Sequence, residues 1–257
     1  NLGFNVGQID PRTIKIYGHG GEMLPLLNGD NQFYDLPETS IQVIGENDGS
    51  FDSSDYILFY GKAVHDTWSE ENKTSQNLFA DRSYYYITYG GNFGSRVGNY
   101  IEPTANPNIT ISTFDDEQFH EVDQTSIVKV GRKWVGETFA VNNEQTFDFT
   151  FKKIVSSEPI LVRGAYVSVS ESATSIDVTL NGQQGENVAF SAINGDYDFA
   201  RENFINFQAT SSSEDVDIKI VYNNGGNPAS VGYLDYLRVL AKRQLNFANQ
   251  QEEFTYL

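Results

Sequence analysis

Ile176-Asp177-Val178-Thr179-Leu180-Asn181-Gly182 is the stretch that decides the fold. Its apolar and polar residues alternate with the period of two that marks a strand buried on one face. It ends in Asn-Gly, a pair in which both residues tolerate positive φ and which closes tight hairpins. Phe147, Phe149 and Phe151 repeat the pattern against Asp148 and Thr150. Leu161 to Val169, Val188 to Ile193, Phe204 to Ala209, Val216 to Tyr222 and Tyr233 to Ala241 read as further strands separated by polar turns. Gly164, inside one of them, predicts a bulge or a close backbone approach. Such spacing points to an antiparallel sandwich or jelly roll.

Upstream, the strands are shorter. Thr13 to Tyr17, Ile41 to Ile44, Tyr56 to Tyr60 and Tyr84 to Tyr89 are each bounded by Gly, Asn or Asp. The last, Tyr-Tyr-Tyr-Ile-Thr-Tyr, has no polar face and is expected to be central or covered on both sides. Helical signals are two: Ser69 to Ala80 could hold a turn or two capped by Ser69, and Leu234 to Leu245 has some helical spacing, although the β-branched and aromatic content of Val231 to Val239 argues for strand. Residues 90–107, rich in Gly, Asn and Pro, read as a long loop or linker. The fold class is all-β, with two antiparallel β modules over 1–112 and 113–245. The second is the sandwich, and 246–257 follows as a truncated C-terminal stub. The opening Asn1-Leu2-Gly3-Phe4 and the closing Glu253-Phe254-Thr255-Tyr256-Leu257 are expected to be cuts that separate the piece from both natural neighbours.

Composition bounds the chemistry. The 257 residues include 18 Phe and 15 Tyr, ample for a packed β core, and carry a net charge of −18. That charge repels phosphate backbones and anionic membrane surfaces, so nucleic acid is excluded as a partner. No apolar run is long enough to span a bilayer as a helix. With no cysteine there is no disulfide, no thiolate-bound zinc and no thiol nucleophile. The three histidines, His19, His65 and His120, lack metal partners at recognised spacings. His120-Glu121 opens like a zincin motif, but Gln124 stands where the second histidine belongs. No Gly-x-Ser-x-Gly elbow is present. Gly18-His19-Gly20-Gly21 follows a strand, but Pro25 interrupts the helix that a phosphate site would need.

Two candidate sites remain. Asp48, Asp52 and Asp55 lie in an acidic loop around Gly49 that resembles half of a calcium site, although Ile44 falls where the first ligand should be. The competing reading is a set of Asx turns. Calcium is therefore the one cofactor to consider. Trp68 and Trp134 are candidate interaction residues, because aromatic side chains dominate interface hot spots. Tyr100, Tyr197 and Tyr233 stand behind them. A sugar-binding aromatic face is the alternative use of such residues, which would make the chain a carbohydrate-binding cell-surface sandwich.

Four patterns, in order, resemble the leader region of gingipain-like cysteine peptidases, specifically the PorU-type sortases of the type IX secretion system. They are Asp10-Pro-Arg-Thr-Ile-Lys-Ile-Tyr-Gly-His-Gly-Gly21 with Met23-Leu24-Pro25; Asp48-Gly-Ser-Phe-Asp-Ser-Ser-Asp-Tyr-Ile-Leu-Phe-Tyr-Gly61; His120-Glu121-Val122-Asp123 with Gly131-Arg-Lys-Trp-Val-Gly-Glu-Thr-Phe139; and Gly232-Tyr-Leu-Asp-Tyr236. The resemblance implies a parent whose Cys/His dyad lies beyond residue 257, so no catalytic residue carries over. It implies a non-catalytic, monomeric accessory region at the extracellular face of the outer membrane. The expected partners are the downstream protease domain of the same chain, secretion cargo or translocon subunits. Leaders of this kind also hold their enzymes latent, which is a second implied role.

Overall fold

The structure, a computed structural model, describes all residues except 1–2, 4, 22, 24–26, 28, 30–34, 71, 100, 102–103, 105, 196 and 247–257, and gives no side-chain surroundings for 65–67. Leu24, Pro25, Tyr100 and nearly all of the expected C-terminal stub lie outside the described residues. The chain divides into two compact units, Asn1–Asn106 and Pro107–Leu257. Both are built from antiparallel strands, and no α-helix occurs among the described residues.

Among its described residues the first unit carries seven short strands: β1 (Lys15–Tyr17), β2 (Glu38–Thr39), β3 (Gln42–Ile44), β4 (Tyr56–Leu58), β5 (His65–Ser69), β6 (Thr74–Gln76) and β7 (Tyr86–Thr88). They form one three-stranded sheet, β2-β1-β7, and two hairpins, β3-β4 and β5-β6. The described core is a cluster of Ile9, Ile14, Ile16, Ile41 and Val43, with Phe51, Ile57, Tyr85 and Ile87 packed against it.

Polar ties do much of the holding. The Arg96 guanidinium donates to the carbonyls of Pro11 and Ile14 and to the Glu46 carboxylate at 2.8 Å. The segment predicted as a linker from residue 90 is thus bound into this unit as far as Val97, whose N–H donates to the Ile41 carbonyl. Ser69 to Ala80 is not helical. Ser69 ends β5 and its hydroxyl accepts from the Asn72 N–H, while Lys73 takes a positive φ of 56° to close the turn into β6. The Ser69 side chain caps a turn here, the other common use of a hydroxyl that competes for backbone donors.

The second unit is the sandwich. Its strands are β8 (Thr113–Glu121), β9 (Thr138–Phe139), β10 (Glu144–Thr150), β11 (Ile160–Val169), β12 (Thr174–Leu180), β13 (Gln183–Phe190), β14 (Arg201–Ala209), β15 (Asp215–Asn223) and β16 (Val231–Gln244). One sheet runs β10-β15-β12-β13, the other β14-β11-β16-β8, with β9 beside β16. Asn181 and Gly182 take φ of 47° and 77°, as the β12–β13 hairpin requires.

Register aligns the apolar positions. Ile218 sits between Phe147 and Leu180, and Ile220 faces Val178. Against them the other sheet turns Val162, Ile205, Leu234, Leu237 and Val239, all buried in the same cluster. Gly164 brings β11 against β16: a Cβ there would lie 2.6 Å from the Tyr236 carbonyl oxygen. Immediately afterwards the register shifts, with Ala165 opposite Tyr236 but Tyr166 opposite Leu234, so Asp235 is the extra residue of a β-bulge.

Strand β8, Thr-Phe-Asp-Asp-Glu-Gln-Phe-His-Glu, carries too many acids to read as a strand from sequence. It forms because β16 brings bases to it: Arg238 meets Glu117 at 2.6 Å, Lys242 meets Asp115 at 2.8 Å, and Arg243 meets Asp116 at 3.0 Å.

Candidate functional site

In the first unit, the period of two on β4 and β7 sorts side chains onto two faces. Ile57 and Ile87 turn toward the core, while Tyr56, Leu58 and Tyr86 face outward. Tyr84 is 63% exposed and Tyr86 56%, so the tyrosine run is neither central nor covered: β7 is an edge strand of a three-stranded sheet. Phe59 packs edge-to-face on Tyr85 with ring centroids 5.1 Å apart, which joins the β4 and β7 segments. Leu58, Phe59 and Tyr60 on the first of these segments and Tyr84 and Tyr86 on the second are each exposed. The aromatics among them are side chains that the composition led one to expect in the core.

The candidate tryptophans part company. Trp68 is buried, at 8% exposure, and Trp134 is 44% exposed in the other unit. The acidic loop is knit to itself. The Asp48 carboxylate accepts from the Ser50 N–H, Asp52 from the Ser54 N–H and hydroxyl, and Asp55 from the Asp52 N–H. The Ser54 bonds hold the Asp52 carboxyl below its usual pKa. Gly45 enters this loop at φ 97°, directly beside the Asp55 carboxylate. Among the described residues no three His, Asp or Glu side chains gather as a metal site. His19 lines a small cavity with Tyr60, Lys62 and Tyr85.

In the second unit, the third and fourth sequence patterns converge. His120 pairs through Nε2 with Glu137 at 2.7 Å, across 17 residues rather than with its neighbour Glu121. Burial works to raise the Glu137 pKa, but the bond to His120 and the bond from its own backbone N–H together outweigh it and hold the carboxyl low. The Lys133 ammonium lies between the carboxylates of Glu202, at 2.5 Å, and Asp235, the bulge residue. The Asp235 side chain is only 7% exposed. Desolvation pushes its pKa up to about 6, with Lys133 opposing and Glu202 and Asp123 adding to the rise. Burial raises Asp123 as well. Lys133 sits above its ordinary value, because the two carboxylates outweigh its own burial.

Beside this ion cluster opens a cleft of about 300 Å³. Val135 and Val167 line it, with Ile127 and Val128 from one loop and Tyr197 and Phe199 from another. Sequence reading singled out Trp134 and missed its neighbours Lys133 and Val135. The available signal was Asp235, a lone acid inside the apolar run Gly-Tyr-Leu-Asp-Tyr-Leu.

No family profile matches the chain, and no curated protein matches it. Among solved structures, dimeric latent PorU from Porphyromonas gingivalis aligns with a TM-score of 0.71 at 19% identity, over 95% of this chain. The chain spans 22% of that structure's length. A carbohydrate-binding module of family 36, solved with calcium and xylotriose, aligns with 50% of the chain at a TM-score of 0.31 and 13% identity, a likeness too slight to carry weight. The chain has a PorU-like, all-β fold, and its 257 residues contain no cysteine to serve as a nucleophile.

Proposed function

We propose that the chain is a non-catalytic accessory region of a PorU-type sortase, a gingipain-like cysteine peptidase of the type IX secretion system. It packs on the protease domain of its parent, or binds cargo or translocon subunits, at the outer-membrane surface. The observation that carries this reading is the exposure of large aromatic side chains in the first unit, Phe59 and Tyr60 after β4 and Tyr84 and Tyr86 at β7. Large aromatic side chains left in the open over a small core mark a surface completed by another body. The fold likeness to a chain several times longer supports the same direction.

The test is co-purification of the chain with the parent's protease domain at micromolar concentration. The expected result is a complex that the double variant Tyr84→Ser/Tyr86→Ser weakens at least about tenfold, as hot-spot aromatics do. Retention of native circular dichroism by that variant separates lost binding from lost folding. A protease domain that never co-purifies would overturn the reading.

A further inference from the structure

We propose that Asn194 is a site of self-modification: the Gly195 backbone nitrogen attacks its side-chain amide, and Asn194 is converted without an enzyme to aspartate and isoaspartate. This inference stands apart from the exposed aromatic side chains of the first unit and their proposed role.

The chemistry needs two free groups side by side. The Gly195 nitrogen bonds to the Asn194 Cγ and gives up its proton, the Cγ–Nδ2 bond breaks, and ammonia leaves. Water then opens the resulting cyclic imide at one of its two carbonyls. One opening leaves aspartate in a normal backbone. The other routes the backbone through the side chain as isoaspartate. Water is the one co-reactant. Asn-Gly is the pair suited to this step, because glycine has no Cβ to shield its nitrogen or restrict its backbone. The amide and the nitrogen must still be able to meet, and here the folded chain discriminates between identical pairs.

Asn-Gly occurs at 28–29, 181–182, 194–195 and 224–225. Asn28 lies outside the described residues. Asn181 is held at both ends of its amide: Nδ2 donates to the Ser211 hydroxyl and to the Asp215 carbonyl, and Oδ1 accepts from the Asp217 N–H at 2.7 Å. At 224–225 the nucleophile itself is engaged. The Gly225 N–H donates to Asn223 Oδ1 at 3.0 Å, Asn224 Oδ1 accepts from the Gly226 N–H, and a Cβ at Gly225 would collide with the Ala173 carbonyl oxygen.

Asn194 has neither restraint. It is exposed, and among the described residues neither its side-chain amide nor the Gly195 N–H makes a hydrogen bond. Gly195 takes φ of 96°, and nothing lies within 4 Å of where its Cβ would stand. The pair hangs between two anchors, the Ile193 N–H on the Ser170 carbonyl and the Asp198–Arg201 ion pair at 2.6 Å. The product has local consequences. A new carboxylate arises beside Asp198, which accepts the Asn194 N–H, and isoaspartate lengthens the main chain just ahead of Tyr197 and Phe199 in the cleft wall.

The test is peptide mapping by mass spectrometry after the full 257-residue chain is warmed at mildly alkaline pH. Exchange of amide for acid is expected at Asn194 at least about tenfold faster than at Asn181 and Asn224, which must first break the bonds that hold them. In guanidinium chloride the three rates should converge, since only folding separates them. Asn194→Gln should remove the isoaspartate mapped to position 194 while native circular dichroism is kept. Asn223→Ala frees the Gly225 N–H and should speed Asn224 several-fold. Folded Asn194 reacting no faster than Asn181 and Asn224 overturns the proposal. So does an Asn194 that stays intact in the folded chain while it reacts in the unfolded one.

Discussion

The two units solve the same problem with unequal means. The second gathers 21 buried residues into one described cluster, on strands of up to 14 residues. The first gathers five, on strands of two to five residues, and leaves several of its aromatics exposed. One is stabilised chiefly by burial of apolar area. The other leans on Arg96, on the Asp10–Arg12 pair and on self-capped turns. On the proposed reading, the aromatic side chains that the first unit leaves exposed are where a partner would bind.

The sharpest way to break this contrast is Ile218→Ala. Ile218 is fully buried between Phe147 and Leu180, so its loss should cost about 2–5 kcal/mol in urea unfolding. A cost below about 1 kcal/mol would mean that the sandwich core is not the chief support of its unit.

Asp235 tests the ion cluster through pH. Its folded pKa of about 6 lies above the ordinary 3.8, so the folded state binds its proton more tightly than the unfolded state does. That contribution is fully present below about pH 3.8 and is lost as pH rises through about 6. The native chain should therefore gain stability relative to Asp235→Asn on acidification from pH 7 to pH 4, by at most about 3 kcal/mol for a shift of about two units. A difference that stays flat across that range would show that Asp235 is not desolvated.

Gly45→Ala should cost about 1–3 kcal/mol in the first unit, because a positive φ and the adjacent Asp55 carboxylate both reject a side chain. An unchanged melting temperature would mean that the loop tolerates rearrangement and does not brace the unit. Smaller still, EDTA should leave the melting temperature unchanged, since Asp48, Asp52 and Asp55 already accept N–H groups from their own loop. A drop reversed by calcium would instead assign a metal to that loop.

Sequence legibility followed the same divide. The sandwich could be read because Val216, Ile218, Ile220 and Tyr222 alternate in a half-buried strand, and because Asn181-Gly182 demands one turn geometry. Strand β8 could not, because its acids satisfy themselves only against Arg238, Lys242 and Arg243 more than a hundred residues away. The tyrosine run was legible as strand over its middle but not as surface. Periodicity carries no information about coverage when both faces are apolar. The ion cluster was illegible for a related reason: Lys133, Glu202 and Asp235 meet only through a bulge and a loop crossing, and neither leaves a spacing rule.

Strand β16 is the last described strand of the sandwich in sequence, yet it lies between β11 and β8 within its sheet. During synthesis, β8 and β11 therefore wait as unjoined neighbours until residues 231–244 leave the ribosome. A chain clipped before Val231 would lack the strand that joins β11 to β8, so this sheet can close only once residues 231–244 have been made.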